Sequence, residues 1–187
     1  GKIGTGKTTV SNIIRNLRYQ VFESDIEVKK IYKESIVIEK LKKEFKNYIP
    51  NLFYKNGLIN KKNLGNYVFS KKSELAKLEK IIYPELKKKK EKFLRTNNKE
   101  KFIFFDIPLL FEKKMEKNFD YIIYTYTKNL IQKKRVLKRK NMDEKKLSNI
   151  LKIQSHNYIE IQKFVSLKIN TENDRDLIKK KIKNFLK

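Results

Sequence analysis

Apolar residues follow two spacings along this chain, one typical of helices and one typical of buried strands. Val10, Ile13, Ile14 and Leu17 recur at helical spacing, which predicts a helix over residues 8–18. The run 102–107 is mostly apolar and stops at Pro108, as expected of a buried parallel strand. Because segments of both kinds alternate, the sequence predicts an α/β fold with a mostly parallel sheet.

The other elements follow from the same two patterns. We expect short strands over 20–24, 121–126 and 166–170, and helices over 25–46, 61–69, 73–95, 129–140, 143–156 and 174–186. Pro84 lies inside the long Lys-rich helix and is expected to interrupt or split it, since proline lacks a backbone N–H. Pro50 and Gly57 mark a loop.

Composition limits the possible classes of protein. The 187 residues suit one compact domain, and the absence of cysteine excludes a disulfide scaffold or a Cys-ligated zinc site. The single histidine, His156, excludes a His-rich metal site and is expected at the surface or in a lid rather than in catalysis. No apolar stretch of about 18 residues exists, so we expect no membrane contact and a cytoplasmic location.

The net charge of +26 would ordinarily favour a polyanionic partner such as a nucleic acid. Only 6 of the 47 basic residues are Arg, however, and the 41 Lys are spread over every segment. A sequence-specific nucleic-acid reader favours Arg, because its guanidinium makes bidentate contacts. We therefore expect no specific nucleic-acid partner, although the charge should assist the capture of anionic substrates.

The first eight residues, Gly1-Lys2-Ile3-Gly4-Thr5-Gly6-Lys7-Thr8, match every position of the phosphate-loop template Gly-x-x-x-x-Gly-Lys-Ser/Thr. Glycines let consecutive N–H groups converge on phosphate oxygens, while Lys7 reaches the β- and γ-phosphates and the Thr8 hydroxyl holds Mg²⁺. The expected ATP-binding residues here are Gly1, Gly4, Thr5, Gly6, Lys7, Thr8 and Thr9. A chance glycine-rich turn is the alternative, but the complete match and the amphipathic helix behind it favour phosphate binding. The motif alone does not separate a kinase from a GTPase or a motor.

A phosphate loop ordinarily follows a buried strand, and the sequence begins inside its loop. We therefore expect one further strand, about 5–8 residues long, to precede Gly1 in the natural protein.

Several further segments narrow the choice of family. Asp25 lies 24 residues after Gly1, and Asp106-Ile107-Pro108-Leu109-Leu110-Phe111-Glu112 follows a predicted strand. An Arg-xxx-Arg pattern at Arg135 and Arg139 precedes Gln154, and Ile169-Asn170-Thr171 comes near the end. In this order, and together with 56–59 and 78–84, the segments resemble the dephospho-CoA kinase family over essentially the whole chain.

This resemblance implies a P-loop NTPase fold of the nucleoside-kinase type with a three-layer core. The core would comprise residues 1–25, 96–128 and 159–187, with a helical acceptor-binding insertion over 26–95 and a helical lid over 129–158. The implied reaction moves the γ-phosphate of ATP, bound with Mg²⁺, to the ribose 3′-hydroxyl of dephospho-CoA. The implied partners are these two small molecules; the oligomeric state is left open, with a monomer as the expectation.

The resemblance also implies catalytic roles for Asp25, Lys7 and Arg139. Asp25 would be the general base, with a helix N-cap as the alternative. Arg135 and Arg139, four residues apart on one helical face, would close over the phosphates of ATP. A solvated basic helix is the alternative for this pair. Contact of Asp106 with Mg²⁺ through water is left open.

The chain departs from the family pattern at four places. Glu23-Ser24-Asp25 replaces Asp-Ala-Asp, Tyr83-Pro84 replaces His-Pro, Lys61 or Lys62 replaces an Arg, and an Ala-Asp pair is missing near Val165-Ser166. These changes affect expected acceptor contacts more than the ATP site. Three alternatives stay open: another small-molecule P-loop kinase such as a nucleoside monophosphate kinase, a basic nucleic-acid-binding protein, and an inactive fragment.

Overall fold

The computed structural model describes all 187 residues, which divide into two compact units. The first unit comprises Gly1–Val21 and Lys101–Lys187, and the second comprises Phe22–Glu100. The helices are α1 Lys7–Asn16, α2 Ser24–Ile31, α3 Ser35–Phe45, α4 Lys61–Val68, α5 Lys72–Thr96, α6 Asn129–Leu137, α7 Glu144–Ile153, α8 Tyr158–Ile161 and α9 Arg175–Phe185. The strands are β1 Gln20–Glu23, β2 Ile103–Asp106, β3 Ile123–Tyr126 and β4 Leu167–Asn170.

The first unit contains parallel strands covered by helices. β3 and β4 run parallel, with Ile123 opposite Leu167 and Tyr126 opposite Asn170, and β2 pairs with β1 in another two-stranded sheet. The parallel pairing and the alternation of strands with helices confirm the predicted α/β class. No helix combines the length and apolar content that a bilayer crossing requires.

The apolar face predicted for the first helix forms part of the core of this unit. The buried residues of this core come from α1, β4 and α9: Val10, Ile13, Ile14, Ile169, Ile178, Ile182 and Leu186. Burial of this face fixes α1 against β4 and α9, and therefore fixes where the loop that precedes α1 must lie. The predicted strands are each one to two residues longer than the observed ones, a difference common at element ends.

The second unit is helical, and its core contains fully buried side chains from several helices, among them Ile31, Val37, Leu41, Phe45 and Val68. Each of α2, α3 and α4 packs against the long helix α5. The prediction of one continuous helix over 25–46 is wrong, because α2 ends at Ile31 and α3 begins at Ser35. In a continuous helix Ile31 and Val37 would lie about 120° apart around the axis, so the turn allows both to be buried.

The expected interruption of α5 at Pro84 is also wrong, because α5 is a single helix of 25 residues that contains this proline. Pro84 is exposed, whereas its neighbours Ile82 and Glu85 are buried. Packing of the buried face against α2, α3 and α4 therefore outweighs the cost of proline in a helix, which is about 3 kcal/mol.

Three differences concern the residues between β3 and β4. The helix predicted over 129–140 ends at Leu137, and the one predicted over 143–156 ends at Ile153. A short helix, α8, was not predicted; its four residues are too few for a periodic pattern to be recognisable. The shorter α6 matters for the site, since Arg139 lies beyond its end.

Pro84→Ala should raise the free energy of unfolding by about 1–3 kcal/mol, because it restores a helical N–H and removes the steric conflict of the ring. No buried contact should be lost, since the proline ring is exposed. Chemical denaturation would measure the change, with Lys80→Ala at another exposed position of α5 as the control. Loss of stability in Pro84→Ala would contradict the view that α5 merely tolerates its proline.

Candidate active site

The loop before α1 has the backbone conformation that its two inner glycines allow. Gly4 and Gly6 have φ values of +77° and +86°, a region in which other residues are strained. Gly6 is also the N-cap residue of α1, and no side chain caps the helix there. The first N–H groups of α1 therefore belong to a helix start of the kind that binds phosphate through backbone donors.

Neighbouring elements approach this loop so closely that a side chain would not fit at either glycine. A Cβ on Gly4 would lie 2.5 Å from Cγ2 of Val136 in α6. A Cβ on Gly6 would lie 2.8 Å from Cβ and Cγ2 of Thr171, the residue that follows β4. Glycine is therefore required at both positions for space as well as for conformation.

Threonine hydroxyls join the loop to the ends of β3 and β4. The Thr5 hydroxyl lies 2.7 Å from the Lys2 carbonyl and 2.9 Å from the Thr125 hydroxyl. Thr171 donates its hydroxyl proton to the Thr5 carbonyl over 2.9 Å. Thr5, Thr125 and Thr171 are all buried, so these bonds form away from solvent and hold the loop in one shape.

Lys7 contacts the loop itself through its ammonium group. Its Nζ donates to the Gly1 carbonyl at 2.9 Å and to the Lys2 carbonyl at 3.1 Å. Thr8 follows it in the first turn of α1 with an exposed side chain, while Thr9 lines a cavity of about 230 Å³ between α1 and α9. The predicted loop residues thus gather around the start of α1.

Arg135 and Arg139 lie in different settings, contrary to the prediction of one shared helical face. Arg135 is on α6 and donates from Nη1 to the Thr171 hydroxyl at 2.8 Å and from Nη2 to the Thr171 carbonyl at 2.9 Å. Arg139 is exposed and lies two residues beyond the end of α6 at Leu137. Arg135 therefore supports the loop through Thr171, whereas Arg139 projects from a turn.

Asp25 belongs to the second unit and occupies the first turn of α2. The N-cap of that helix is Glu23, so the alternative interpretation of Asp25 as the N-cap is wrong. The Asp25 side chain is exposed.

In the first unit, Asp106 at the end of β2 accepts a hydrogen bond of 3.1 Å from the buried Ser11 hydroxyl of α1.

His156 was expected at the surface or in the lid; its side chain is only 8% exposed, which contradicts a surface position, whereas the residue does lie within the segment 129–158 that was predicted as the lid. Its Nδ1 lies 2.6 Å from Oε1 of Glu112, and its Nε2 lies 3.3 Å from the Tyr124 hydroxyl. Burial lowers the pKa of His156, an effect that Glu112 opposes, so the ring is neutral at pH 7. A neutral ring donates from Nδ1 to the carboxylate and accepts from the tyrosine.

Two of these side chains adjoin the phosphate loop. His156 and Tyr124 line a cavity of about 370 Å³ together with Lys2 and Thr5 of the loop. Sequence analysis placed Glu112 in a family motif but did not link it to His156, which lies 44 residues away. No local pattern could have revealed this contact.

Comparison with known proteins identifies the family that shares these features. A family model described as dephospho-CoA kinase matches residues 1–174. The chain is 36% identical over 152 residues to a dephospho-CoA kinase of Bartonella henselae, covering 80% of this chain and 75% of that protein. It is 34% identical to one of Fusobacterium nucleatum, covering 96% and 91%.

Solved structures agree with this result. A crystal structure of a protein from Thermus thermophilus matches all of this chain and 93% of its own, with a TM-score of 0.80 and 22% identity, which supports the fold alone. A dephospho-CoA kinase from Campylobacter jejuni matches 98% of this chain and 93% of its own, with a TM-score of 0.66 and 25% identity.

Gly6→Ala should weaken ATP binding strongly. The added methyl group would collide with Thr171, and the alanine would have to adopt an unfavourable positive φ. Gly57→Ala is the matched control, since Gly57 also has a positive φ of +75° but nothing lies within 4 Å of the added Cβ. We expect Gly57→Ala to lose about 1–2 kcal/mol of stability and to bind ATP normally. Equal ATP affinity in the two variants, measured by calorimetry, would show that close packing at Gly6 does not matter.

Proposed function

We propose that this chain, which belongs to the dephospho-CoA kinase family, transfers the γ-phosphate of ATP to the ribose 3′-hydroxyl of dephospho-CoA and so forms coenzyme A. The observation that carries this proposal is the loop over 1–8, with its two positive-φ glycines at the start of α1 and Lys7 beside them. Catalysis in such a site consists mostly of positioning the reactants and neutralising charge on the phosphates.

In this proposal the loop residues bind the nucleotide. The backbone N–H groups at the start of α1 hold the phosphates, and Lys7 exchanges its bonds to the Gly1 and Lys2 carbonyls for bonds to phosphate oxygens. Arg139 is an exposed cation, and we assign it to the transferring phosphate. Arg135 supports the loop through Thr171. We therefore expect its direct contact with ATP to be weaker than that of Arg139.

The residues present fit Mg²⁺ carried by the nucleotide. Thr8 supplies a hydroxyl oxygen at the start of α1, and Mg²⁺ typically combines one such ligand with phosphate oxygens and water. No group of three His, Asp or Glu side chains is placed to form a metal site made of protein alone. When bound, Mg²⁺ would neutralise charge on the phosphates.

We assign acceptor binding to the second unit, where a group of lysines has the required charge. The pKa of Lys61 is lowered, first by burial and then by the positive charges of Lys29 and Lys33. The Lys61 ammonium also lies 4.9 Å from the centre of the Tyr32 ring. Three mutually repelling cations favour an anionic ligand, such as a phosphate group of dephospho-CoA.

The experiment that tests the function measures ADP release with a panel of acceptors: dephospho-CoA, adenosine monophosphate and shikimate. We expect turnover with dephospho-CoA alone, and a product that carries its new phosphate on the ribose 3′-oxygen. Turnover with adenosine monophosphate instead would keep a kinase but replace the acceptor. Salt-dependent nucleic-acid binding without ADP release would refute the proposal.

Lys7→Ala should reduce turnover by about 10²–10³-fold, because one cation that stabilises the transferring phosphate is lost. The fold should remain, since the face of α1 that packs on the core is formed by other residues. Steady-state kinetics would measure the loss, and Lys87→Ala on the exposed face of α5 would control for the change in net charge. Unchanged turnover in Lys7→Ala would remove the phosphate-loop assignment.

Asp25→Asn should lower kcat by about 10²–10⁴-fold if Asp25 is the general base. ATP affinity should change little, because the loop residues are intact. Glu27→Gln, in the same helix α2, is the matched control for loss of one negative charge. A folded Asp25→Asn variant with normal kcat would show that Asp25 is not the base.

A further inference from the structure

Both backbone groups of Ile3, in the middle of the phosphate loop, are bonded to buried glutamines. The Ile3 N–H donates to Oε1 of Gln154 at 2.6 Å, and Nε2 of Gln132 donates to the Ile3 carbonyl at 2.6 Å. Each glutamine is only 8% exposed. The two bonds have opposite polarity, so Gln154 acts as an acceptor and Gln132 as a donor.

The two glutamines come from different helices that contact each other. Gln132 lies on α6, and Gln154 is the C-cap residue of α7. α6 also approaches the loop at Gly4, where an added Cβ would lie 3.1 Å from the Gln132 carbonyl. Any shift of α6 or α7 relative to the loop must therefore break these hydrogen bonds or move Ile3.

The geometry explains why two bonds are needed. The N–H and the carbonyl of one residue belong to peptide units on its two sides, so fixing both restricts φ and ψ of Ile3 together. The carbonyl of Ile3 also belongs to the peptide that precedes Gly4, and Gly4 is a residue with few conformational restraints of its own. Gln132 thereby orients the peptide at the point where the loop is most free to turn.

We propose that Gln132 and Gln154 are positioning residues of the phosphate loop, which hold Ile3 by two hydrogen bonds of opposite polarity and couple the phosphate-binding shape to α6 and α7. The Ile3 N–H faces Gln154 and is therefore not one of the phosphate donors. This inference rests on the proposed function only in taking ATP as the ligand of the loop; it does not depend on the acceptor.

The opposite polarity of the two bonds gives a test by rescue. Gln132→Met and Gln154→Met each remove one bond without adding charge. Gln154→Glu restores an acceptor for the Ile3 N–H, whereas Gln132→Glu, ionised at pH 8, offers the Ile3 carbonyl no donor. The two Glu variants add the same charge, and Gln162→Glu at an exposed position controls for it.

Calorimetric titration with Mg²⁺ and ATP at pH 8 would provide the affinities. We expect both Met variants to bind ATP about tenfold or more weakly, since each leaves a buried backbone group unsatisfied. Gln154→Glu should regain most of this loss relative to Gln162→Glu, and Gln132→Glu should regain none. Thermal unfolding of each variant would establish that it is folded at the temperature of the titration.

Three results would overturn the inference: Met variants that bind ATP normally although less stable, Glu variants that behave alike, or a parent chain that does not bind ATP. The first would mean that the glutamines stabilise the fold only, and the last would also refute the proposed function. A parent chain that binds ATP but does not phosphorylate dephospho-CoA would refute the proposed function alone. The affinities of the glutamine variants would then still decide the present inference.

Discussion

Close packing of the phosphate loop against α6 and against Thr171 is the constraint on which the rest of the site depends. Val136 and Thr171 approach Gly4 and Gly6 so closely that neither position can hold a Cβ. The loop therefore fits against α6 and the end of β4 only because both positions are glycine. Because β3 and β4 pair in parallel, the residues that follow them come to the same edge of the sheet and reach the loop together.

Hydrogen bonds then convert this close fit into a defined backbone shape. Thr171 connects Arg135 to the Thr5 carbonyl, since its hydroxyl accepts from the guanidinium and donates to the loop. Arg135 thus supports the loop through Thr171 and makes no direct hydrogen bond to the loop in this arrangement. Lys7 and the exposed Arg139 are left as the cations of this unit that we assign to the phosphates. The chain separates cations that hold the site from cations that would act on the substrate.

The parts of this arrangement that depend on local patterns could be predicted from the sequence. The loop motif and the apolar face of α1 are contiguous, so their spacing alone indicated the phosphate loop and the core. The break between Ile31 and Val37 and the continuity of α5 through Pro84 depend instead on packing among helices, which overrides local preference.

Contacts between distant residues could not be predicted from one sequence. The bonds from Gln132 and Gln154 to Ile3 span 129 and 151 residues, and the bond from Thr171 to Thr5 spans 166. Arg135 was expected at the nucleotide because it belongs to the Arg-xxx-Arg pattern that resembles the lid of the dephospho-CoA kinase family. Its partner is Thr171, whose position beside the loop follows from the pairing of β3 with β4.

Neighbouring side chains fix the phosphate loop independently of nucleotide. The most direct test measures by NMR the hydrogen exchange rate of the Ile3 amide in protein prepared without nucleotide. The bond to Gln154 predicts exchange slower by ~10²-fold or more than in an unstructured peptide, and loss of that protection in Gln154→Met. Exchange of the Ile3 amide at the rate of an unstructured peptide would contradict the account.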